Sequence, residues 1–213
     1  MTEPETGAAR RATQARRARH RHALQGTSPA RRSCALRRAL LVLLLVCLGL
    51  LSACARAVAP GHDFGAFELR DTAGLSHSSA VLLSRGNLLV LYVWSVDCAD
   101  SARVDPAIVA LDASHGPRGV EVLALDPVAA DDPARIAAAA GARDVPFPIV
   151  RDPHGRITAR LGAARFPVAG VLDRRGTLLW RGPVGGLEAV LEAALGGRPL
   201  PASGAVEAGC EVP

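Results

Sequence analysis

Cysteine side chains are the groups in this sequence best suited to covalent chemistry. The chain contains five, at positions 34, 47, 54, 98 and 210. A deprotonated thiol attacks disulfides and peroxides, and two thiols that meet can be oxidised to a disulfide. The six His show no spacing typical of metal ligands. We therefore expect thiol chemistry with no bound metal and no other cofactor.

The N-terminal region predicts where this chemistry takes place. An arginine-rich start is followed by a charge-free apolar run from Ala39 to Leu51 and by small residues before Cys54, the layout of a secretory signal peptide. The string Leu51-Ser52-Ala53-Cys54 resembles the bacterial lipobox, whose cysteine is diacylated and becomes the new N-terminus. The resemblance implies a protein anchored by lipid in the cell envelope, at the outer membrane or the periplasmic face of the inner membrane.

An uncleaved membrane-spanning helix is the alternative interpretation. The charge-free run from Ala39 to Ala55 has 17 residues, at the lower end of the roughly 17–25 that cross a bilayer. A short apolar run ending in small residues is more typical of a cleaved signal. The expected segments are a leader with a long arginine-rich start (1–53), a lipidated tether (54–62), one domain (63–197) and a flexible tail containing Cys210 (198–213).

Cleavage before Cys54 would change both the charge and the number of free thiols. The whole chain has a net charge of +5, but residues 1–53 contain ten Arg and two Glu, so residues 54–213 carry 15 Arg against 18 Asp or Glu. A net charge of −3 gives no reason to expect nucleic-acid binding. Cys54 would carry the lipid, which leaves Cys98 and Cys210 as the two thiols in an oxidising compartment.

The apolar pattern predicts that Cys98 lies between a strand and a helix. Residues 88–94 are seven successive apolar or aromatic residues, typical of a strand buried on both faces. After Cys98, residues 104, 108 and 111 are apolar at helical spacing. Unpaired N–H groups and the dipole at a helix start favour a thiolate, whereas the carboxylates of Asp97 and Asp100 oppose a second negative charge.

The rest of the domain predicts an α/β fold. The expected elements are an edge strand at 63–69, a second buried strand at 119–125, a helix from the Asp-Asp-Pro of 131–133 to Gly141, a short strand at 147–150, a brief helix at 157–161, a hairpin of 168–172 with 177–180, and a final helix at 187–195. The order strand, helix, strand, helix in the first half implies a parallel sheet with right-handed crossovers.

This arrangement resembles the thioredoxin fold, and several strings resemble its redoxin or AhpC/TSA branch. The strings are residues 88–98, residues 147–155 and residues 165–176, in which a proline opens the strand leading into an Asp-x-x-Gly turn. Asp97-Cys98-Ala99-Asp100-Ser101 looks like members with Asp-Cys-Pro-x-Ser at this junction. The resemblance implies a central mixed sheet with flanking helices and a C-terminal β-hairpin plus helix.

The same comparison shows departures from the known active-site patterns. Thioredoxins carry Cys-x-x-Cys, and Ser101 takes the second position here. Peroxiredoxins carry Pro-x-x-x-Thr-x-x-Cys, and here Ser95 can stand for the threonine while Leu91 replaces the proline; Arg165 is a weak match to their arginine. Copper-carrying relatives need Cys-x-x-x-Cys, and Ala102 removes that second thiol.

The resemblance implies a site with Cys98 at its centre and Pro167 beside it in the cis form. Ser101 is either an ordinary residue of the first helical turn or a hydrogen-bond partner of the Cys98 sulfur. Two functions stay open. One is a thiol oxidoreductase that acts on disulfides or peroxides, with a protein thiol, a protein disulfide or a small peroxide as its partner. The other is a non-catalytic binding lipoprotein that uses the groove around Cys98 and Pro167.

Cys210 is either a stray exposed thiol or the second thiol of the site. The 13 steps from Gly197 to Cys210 reach roughly 40 Å when extended, so contact with Cys98 is possible. Some redoxin relatives end in a similar Gly-Cys-x-hydrophobic string. We therefore predict that Cys210 is the resolving thiol, which supplies what Ser101 cannot and forms a disulfide with Cys98 during turnover.

Overall fold

A buried strand at the centre of a mixed sheet organises the fold. The computed structural model describes residues 57–206 and 208–213, so Cys54 and the predicted leader lie outside the described residues. In chain order the elements are β1 (Glu68–Arg70), β2 (Ser76–Ser78), α1 (Ser79–Arg85), β3 (Leu88–Val93), α2 (Ala99–His115), β4 (Val120–Asp126), α3 (Pro133–Ala142), β5 (Ile149–Arg151), α4 (Arg156–Leu161), β6 (Arg165–Phe166), β7 (Val168–Asp173), β8 (Leu178–Gly182), α5 (Leu187–Leu195) and β9 (Cys210–Glu211), with short 3₁₀ turns at Gly116–Arg118 and Val184–Gly186.

Five strands form the main sheet, in the order β5–β4–β3–β7–β8. Strand β3 pairs parallel with β4 and antiparallel with β7, and β4 pairs parallel with β5. β7 and β8 form the C-terminal hairpin, with a bulge between Val171 and Leu172. The predicted central mixed sheet, with its parallel first half and its hairpin followed by a helix, is confirmed.

Alternation along β3 builds two hydrophobic cores, one on each face of the sheet. Successive side chains of a strand point to opposite faces. Leu88, Val90 and Tyr92 therefore belong to a core that includes residues of α2, α3 and α5, whereas Leu89 and Leu91 belong to a core that includes residues of α1 and α4. All six residues of β3 are buried, which explains the uninterrupted apolar run that predicted this strand.

The structure refines one predicted boundary and corrects another. The helix predicted to start at the Asp-Asp-Pro of 131–133 begins at Pro133, because the carboxylate of Asp132 caps it by accepting from the Arg135 N–H at 2.8 Å. The predicted edge strand at 63–69 is reduced to β1, because Phe64 and Phe67 are both buried at a spacing of three residues, which no flat strand allows.

Two elements before β3 were not predicted, β2 and α1. Ser78 caps α1 by accepting a hydrogen bond from the Val81 N–H at 3.2 Å. Leu82 and Leu83 then pack into the core on the α1 side of the sheet. The signal was present in the sequence as a serine followed by a short apolar run.

The C-terminal tail differs most from expectation. The sequence predicts no regular element after residue 197, whereas the structure contains strand β9, which pairs antiparallel with β6. The reason is tertiary, because a two-residue strand exists only through the partner whose hydrogen bonds it shares.

Candidate active site

Cys98 lies where β3 has ended and α2 begins. It is the N-cap residue of α2, and its side chain makes no capping hydrogen bond. Only 1% of its surface is exposed. The helix that starts here is 17 residues long, so its first-turn N–H groups and its dipole stabilise a thiolate at this position when the cysteine is reduced.

Cys210 forms a disulfide with Cys98. The two Cα atoms are 5.9 Å apart and the two residues are separated by 112 positions in sequence. The predicted pairing is therefore present in the structure, while the role of Cys210 during turnover stays a prediction.

The tail reaches Cys98 by following the exposed edge of the main sheet. Along edge strand β8, the indole N–H of Trp180 donates to the Ala202 carbonyl at 3.1 Å, and the Gly204 N–H donates to the Arg181 carbonyl at 3.1 Å. Beyond this point β9 pairs with β6, and the Val212 N–H donates to the Ala164 carbonyl at 3.1 Å. The bond from Gly204 satisfies a carbonyl that edge strand β8 would otherwise present to solvent.

Pro167 lies beside the two sulfurs, as the resemblance implies. The Phe166–Pro167 peptide bond is cis. The Phe166 carbonyl oxygen is 3.7 Å from Cys98 Sγ, and Phe166 is the register partner of Cys210. In the reduced protein the Cys98 thiol could donate to this carbonyl; in the disulfide Sγ carries no proton, so the distance marks a contact only.

Each acidic neighbour of Cys98 has an arginine partner. Asp97 forms an ion pair with Arg135, whose hydrogen bond lowers the pKa of the Asp97 carboxyl. Asp100 forms an ion pair with Arg103 one helical turn later. The two carboxylates therefore oppose a thiolate less than the sequence alone predicts, because neighbouring cations offset their charge.

A buried polar network holds the loop that carries Cys98. Asp105 on α2 is fully buried and accepts hydrogen bonds from the Tyr92 hydroxyl at 2.8 Å, the Trp94 indole N–H at 3.2 Å and the Arg143 guanidinium at 3.3 Å. The same guanidinium donates to the backbone carbonyls of Ser95 and Val96 and lies 5.0 Å from the centre of the Trp94 ring.

This network ties three elements to the segment between β3 and Cys98. The positive charge of Arg143 compensates the buried carboxylate of Asp105, which burial would otherwise disfavour. Sequence reasoning missed this role of Asp105 and Arg143, because nothing local relates residues 38 positions apart.

Comparison with known protein families assigns this chain to a family. Residues 60–181 match the model of the AhpC/TSA family. The chain belongs to the AhpC/TSA family. This membership places it among thioredoxin-like redoxins and thiol-dependent oxidoreductases, as the sequence predicted.

Solved structures with the same fold come from several bacteria. A hypothetical protein from Sinorhizobium meliloti has a TM-score of 0.65 and 19% identity, over 74% of this chain and 95% of the other. A candidate thiol:disulfide interchange protein, DsbE, from Chlorobium tepidum has a TM-score of 0.58 and 20% identity, over 65% and 99%. At these identities the likeness shows the fold alone. A comparison with curated protein sequences finds no significant match.

Two polar residues of this AhpC/TSA member do not make the contacts considered from sequence. Ser101 is fully buried, and its hydroxyl has no hydrogen-bond partner among the described residues, so it does not bond the Cys98 sulfur. Its position in the first turn of α2 directs it into the protein instead. The guanidinium of Arg165 donates to the Gly209 carbonyl at 2.9 Å and to the Glu211 carboxylate at 3.0 Å, so it binds the tail.

A second acidic pair lies at the end of β4. Asp126 and Asp131 are each 1% exposed, and one carboxylate oxygen of each has no hydrogen-bond partner within residues 57–206 and 208–213. Burial and, to a smaller extent, the neighbouring Asp131 raise the pKa of Asp126 to about 7, against the Val128 N–H that lowers it. Arg135 connects this pair to the Cys98 loop, because it contacts both Asp131 and Asp97.

Three side chains around the Cys98–Cys210 disulfide carry atoms of the types that bind metals. Cys98, Asp100 and Cys210 each offer one such atom, and these atoms lie within 4.8 Å of one another. Thiolates bind metals, whereas the sulfurs of a disulfide have no such charge. The oxidised site therefore does not fit a metal, and the expectation of metal-free chemistry stays a prediction.

The predicted lipid anchor at Cys54 stays a prediction. Cys54 lies outside the described residues. Among the helices that the structure does describe, none is both long and apolar enough to span a membrane.

Proposed function

We propose that this protein is an envelope-anchored thiol–disulfide oxidoreductase in which Cys98 attacks the substrate and Cys210 resolves the product. The observation that carries this proposal is the Cys98–Cys210 disulfide, formed at a helix N-terminus beside a cis-proline. Membership of the AhpC/TSA family supports the reaction class.

The reaction begins with both cysteines reduced. The Cys98 thiolate attacks one sulfur of a substrate disulfide, forms a mixed disulfide and releases the other sulfur as a thiolate. The Cys210 thiolate then attacks Cys98 Sγ, which forms the Cys98–Cys210 disulfide and releases the second substrate thiolate. Two electrons pass to the substrate, and the two protons lost by the cysteines are taken up by the released thiolates. A protein or small-molecule dithiol returns the pair to the reduced state.

The spacing of the two cysteines explains how this cycle can proceed without Cys-x-x-Cys. The tail supplies the second sulfur from 112 residues away, so Ser101 need not supply it. The structural pairing also weighs against a non-catalytic binding protein, since such a protein has no use for a second thiol at the site.

A peroxidase reaction has less support from the residues present. Leu91 is an internal residue of buried strand β3, in the position of the peroxiredoxin proline, and the guanidinium of Arg165 is occupied by the tail. Among the described residues, neither Leu91 nor Arg165 is thus available to polarise a peroxide bond. We therefore assign disulfides as the substrates.

The proposed location rests on the leader. The Leu-Ser-Ala-Cys string at 51–54 supports cleavage and diacylation at Cys54, which would keep the redox domain at the membrane surface through the tether. Mass spectrometry of the membrane-extracted protein is expected to show an acylated N-terminal Cys54. A soluble protein that begins elsewhere, or an uncut leader, would reject the anchor while leaving the redox proposal intact.

The proposed cycle predicts a different trapped species for each cysteine variant. The reduced protein should reduce a peptide disulfide and end with Cys98 joined to Cys210. Cys98→Ser should not react. Cys210→Ser should accumulate a stable mixed disulfide between Cys98 and the substrate, because the resolving thiol is missing. Non-reducing peptide mapping after one equivalent of substrate distinguishes these products.

Two controls separate this cycle from its alternatives. Hydrogen peroxide in place of the disulfide should oxidise Cys98 more slowly; faster oxidation than by any disulfide would favour the peroxidase. Ser101→Ala should give the same products as the unmodified protein, since the Ser101 hydroxyl makes no hydrogen bond to the Cys98 sulfur. If Cys98 and Cys210 both stay reduced with every oxidant, the binding-protein alternative replaces the oxidoreductase.

A further inference from the structure

The last residues of the chain occupy the edge of β6 in the manner of an added strand. Cys210 pairs with Phe166 and Glu211 pairs with Arg165 in an antiparallel register. The sulfur of the added strand is bonded to Cys98. The tail therefore has the geometry of an extended polypeptide captured through its cysteine at the active site.

With the tail in place, Cys98 is closed to other molecules. Its side chain is 1% exposed, and Cys210 and Val212 of the tail pack on the core to which Cys98 belongs. A substrate sulfur can reach Cys98 only when β9 has moved away from β6. The tail and an incoming polypeptide then compete for the same strand edge.

The residue after the captured sulfur is bound through its charge. The Arg165 guanidinium donates to the Glu211 carboxylate at 3.0 Å, and its other terminal nitrogen donates to the Gly209 carbonyl at 2.9 Å. One side chain thus contacts both residues that flank Cys210. An acidic residue in this position is favoured over a basic one, because like charges repel.

The residue before the captured cysteine, Gly209, fits against β6 because it has no side chain. A Cβ added to Gly209 would lie 2.4 Å from the Phe166 carbonyl oxygen, a backbone atom. Gly209 also has φ +128°, in the region that residues with a side chain rarely adopt. The close approach of the two strands at this point therefore requires glycine.

We infer that the edge of β6 binds extended polypeptides with the pattern Gly-Cys-acidic, that Arg165 is the specificity-determining residue, and that the tail is an internal competitor for this site. The inference rests on the proposed function, since the bound cysteine is the one that exchanges with Cys98. It adds the class of partner: a protein whose reactive cysteine lies in an extended segment between a glycine and an acidic residue.

The test uses activated peptides and the Cys210→Ser variant of the full chain. The probes are Ala-Gly-Cys-Glu-Val, Ala-Gly-Cys-Lys-Val and Ala-Ala-Cys-Glu-Val, each joined through its cysteine to the same thionitrobenzoate leaving group. The rate of leaving-group release is measured, and peptide mapping locates the mixed disulfide at Cys98. The Glu probe should react about two- to fivefold faster than the Lys probe, the range of an exposed ion pair. It should also react about tenfold faster than Ala-Ala-Cys-Glu-Val, because the methyl group of the alanine before the cysteine clashes with the β6 backbone.

Arg165→Gln should remove the preference for Glu over Lys, whereas Arg174→Gln, which removes an exposed arginine of the hairpin turn, should keep it. Both variants remove one positive charge, so a preference lost only in Arg165→Gln cannot come from general electrostatics. Glu211→Gln, added to Cys210→Ser, should speed all three probes, because the competing tail loses its ion pair with Arg165.

Equal rates for the three probes at Cys98 would reject the specificity while leaving the proposed oxidoreductase intact. Unchanged rates after Glu211→Gln would reject the tail as a competitor. If no probe forms a mixed disulfide with Cys98, the proposed function fails together with this inference.

Discussion

Two buried aspartates on the same domain have opposite surroundings. Asp105 accepts hydrogen bonds from Tyr92, Trp94 and Arg143. Asp126 accepts one from the Val128 N–H and faces a second acid, Asp131. Burial is the same for both, so the donors around each carboxylate decide whether its charge is supported.

The difference indicates what each aspartate does for the site. The satisfied carboxylate of Asp105 fixes Arg143, which in turn holds the carbonyls of Ser95 and Val96 just before Cys98. The unsatisfied carboxylate of Asp126 keeps a proton at a pH where an ordinary aspartate has lost it. The first aspartate stabilises the loop, and the second makes the stability of the domain depend on pH.

The largest effect is expected from removal of Asp105. Asp105→Ala leaves the Tyr92 hydroxyl, the Trp94 indole N–H and the Arg143 guanidinium without their shared acceptor. Breaking a buried ion pair by removing one partner costs about 3–5 kcal/mol. Urea unfolding of the oxidised protein measures this loss. The matched control is Asp112→Ala on the same helix, for which about 0.5 kcal/mol or less is expected; equal losses in the two variants would mean that the network does not stabilise the loop.

A smaller and pH-dependent effect is expected from Asp126. The pKa of Asp126 is raised from 3.8 to about 7, so between these values the folded protein holds a proton that the unfolded chain has lost. Stability from this group is thus complete below about pH 4 and falls as the pH rises to about 7, by an amount on the order of 4 kcal/mol.

Asp126→Asn should flatten this slope and should leave the variant relatively more stable above pH 7. Unfolding at pH 5 and pH 7.5, with the disulfide intact, measures the difference. Glu188→Gln, which alters an exposed carboxylate on α5, should keep the slope of the unmodified protein. A slope that survives in Asp126→Asn would assign the pH dependence to another group.

The smallest effect is expected from Asp97, which lies at the surface and pairs with Arg135. Asp97→Asn should leave the unfolding midpoint unchanged within error, because exposed ion pairs contribute little to stability. Arg135 would still contact Asp131. A clear loss of stability would show that the surface pair supports the buried acids, and the two aspartate environments would then not be independent.

Local sequence patterns were enough to predict the scaffold that positions Cys98. The apolar run of β3, the helical spacing of residues 104, 108 and 111, and the turn between β7 and β8 each depend on neighbours within a few residues. Short-range periodicity therefore carried this information. The same reasoning placed Cys98 at the start of α2, and the family resemblance added the cis form of Pro167.

Elements that depend on a distant partner were not predictable in this way. Strand β9 exists only because β6 offers its edge, and no feature within the tail indicates a strand. Asp105 and Arg143 are 38 residues apart, and their pairing requires α2 and α3 to lie on the same face of the sheet. The acidic pair likewise arises because the loop after β4 returns Asp131 to the end of that strand.

The sequence by itself determined which residues could perform the chemistry and which elements would carry them, since residue type and periodicity are local properties. Only the tertiary structure decided which other groups meet: β9 with β6, Arg165 with the tail, and Asp105 with three donors. The physical reason is that a long-range contact depends on how separate elements pack together, and its energy depends on every group that burial brings beside it.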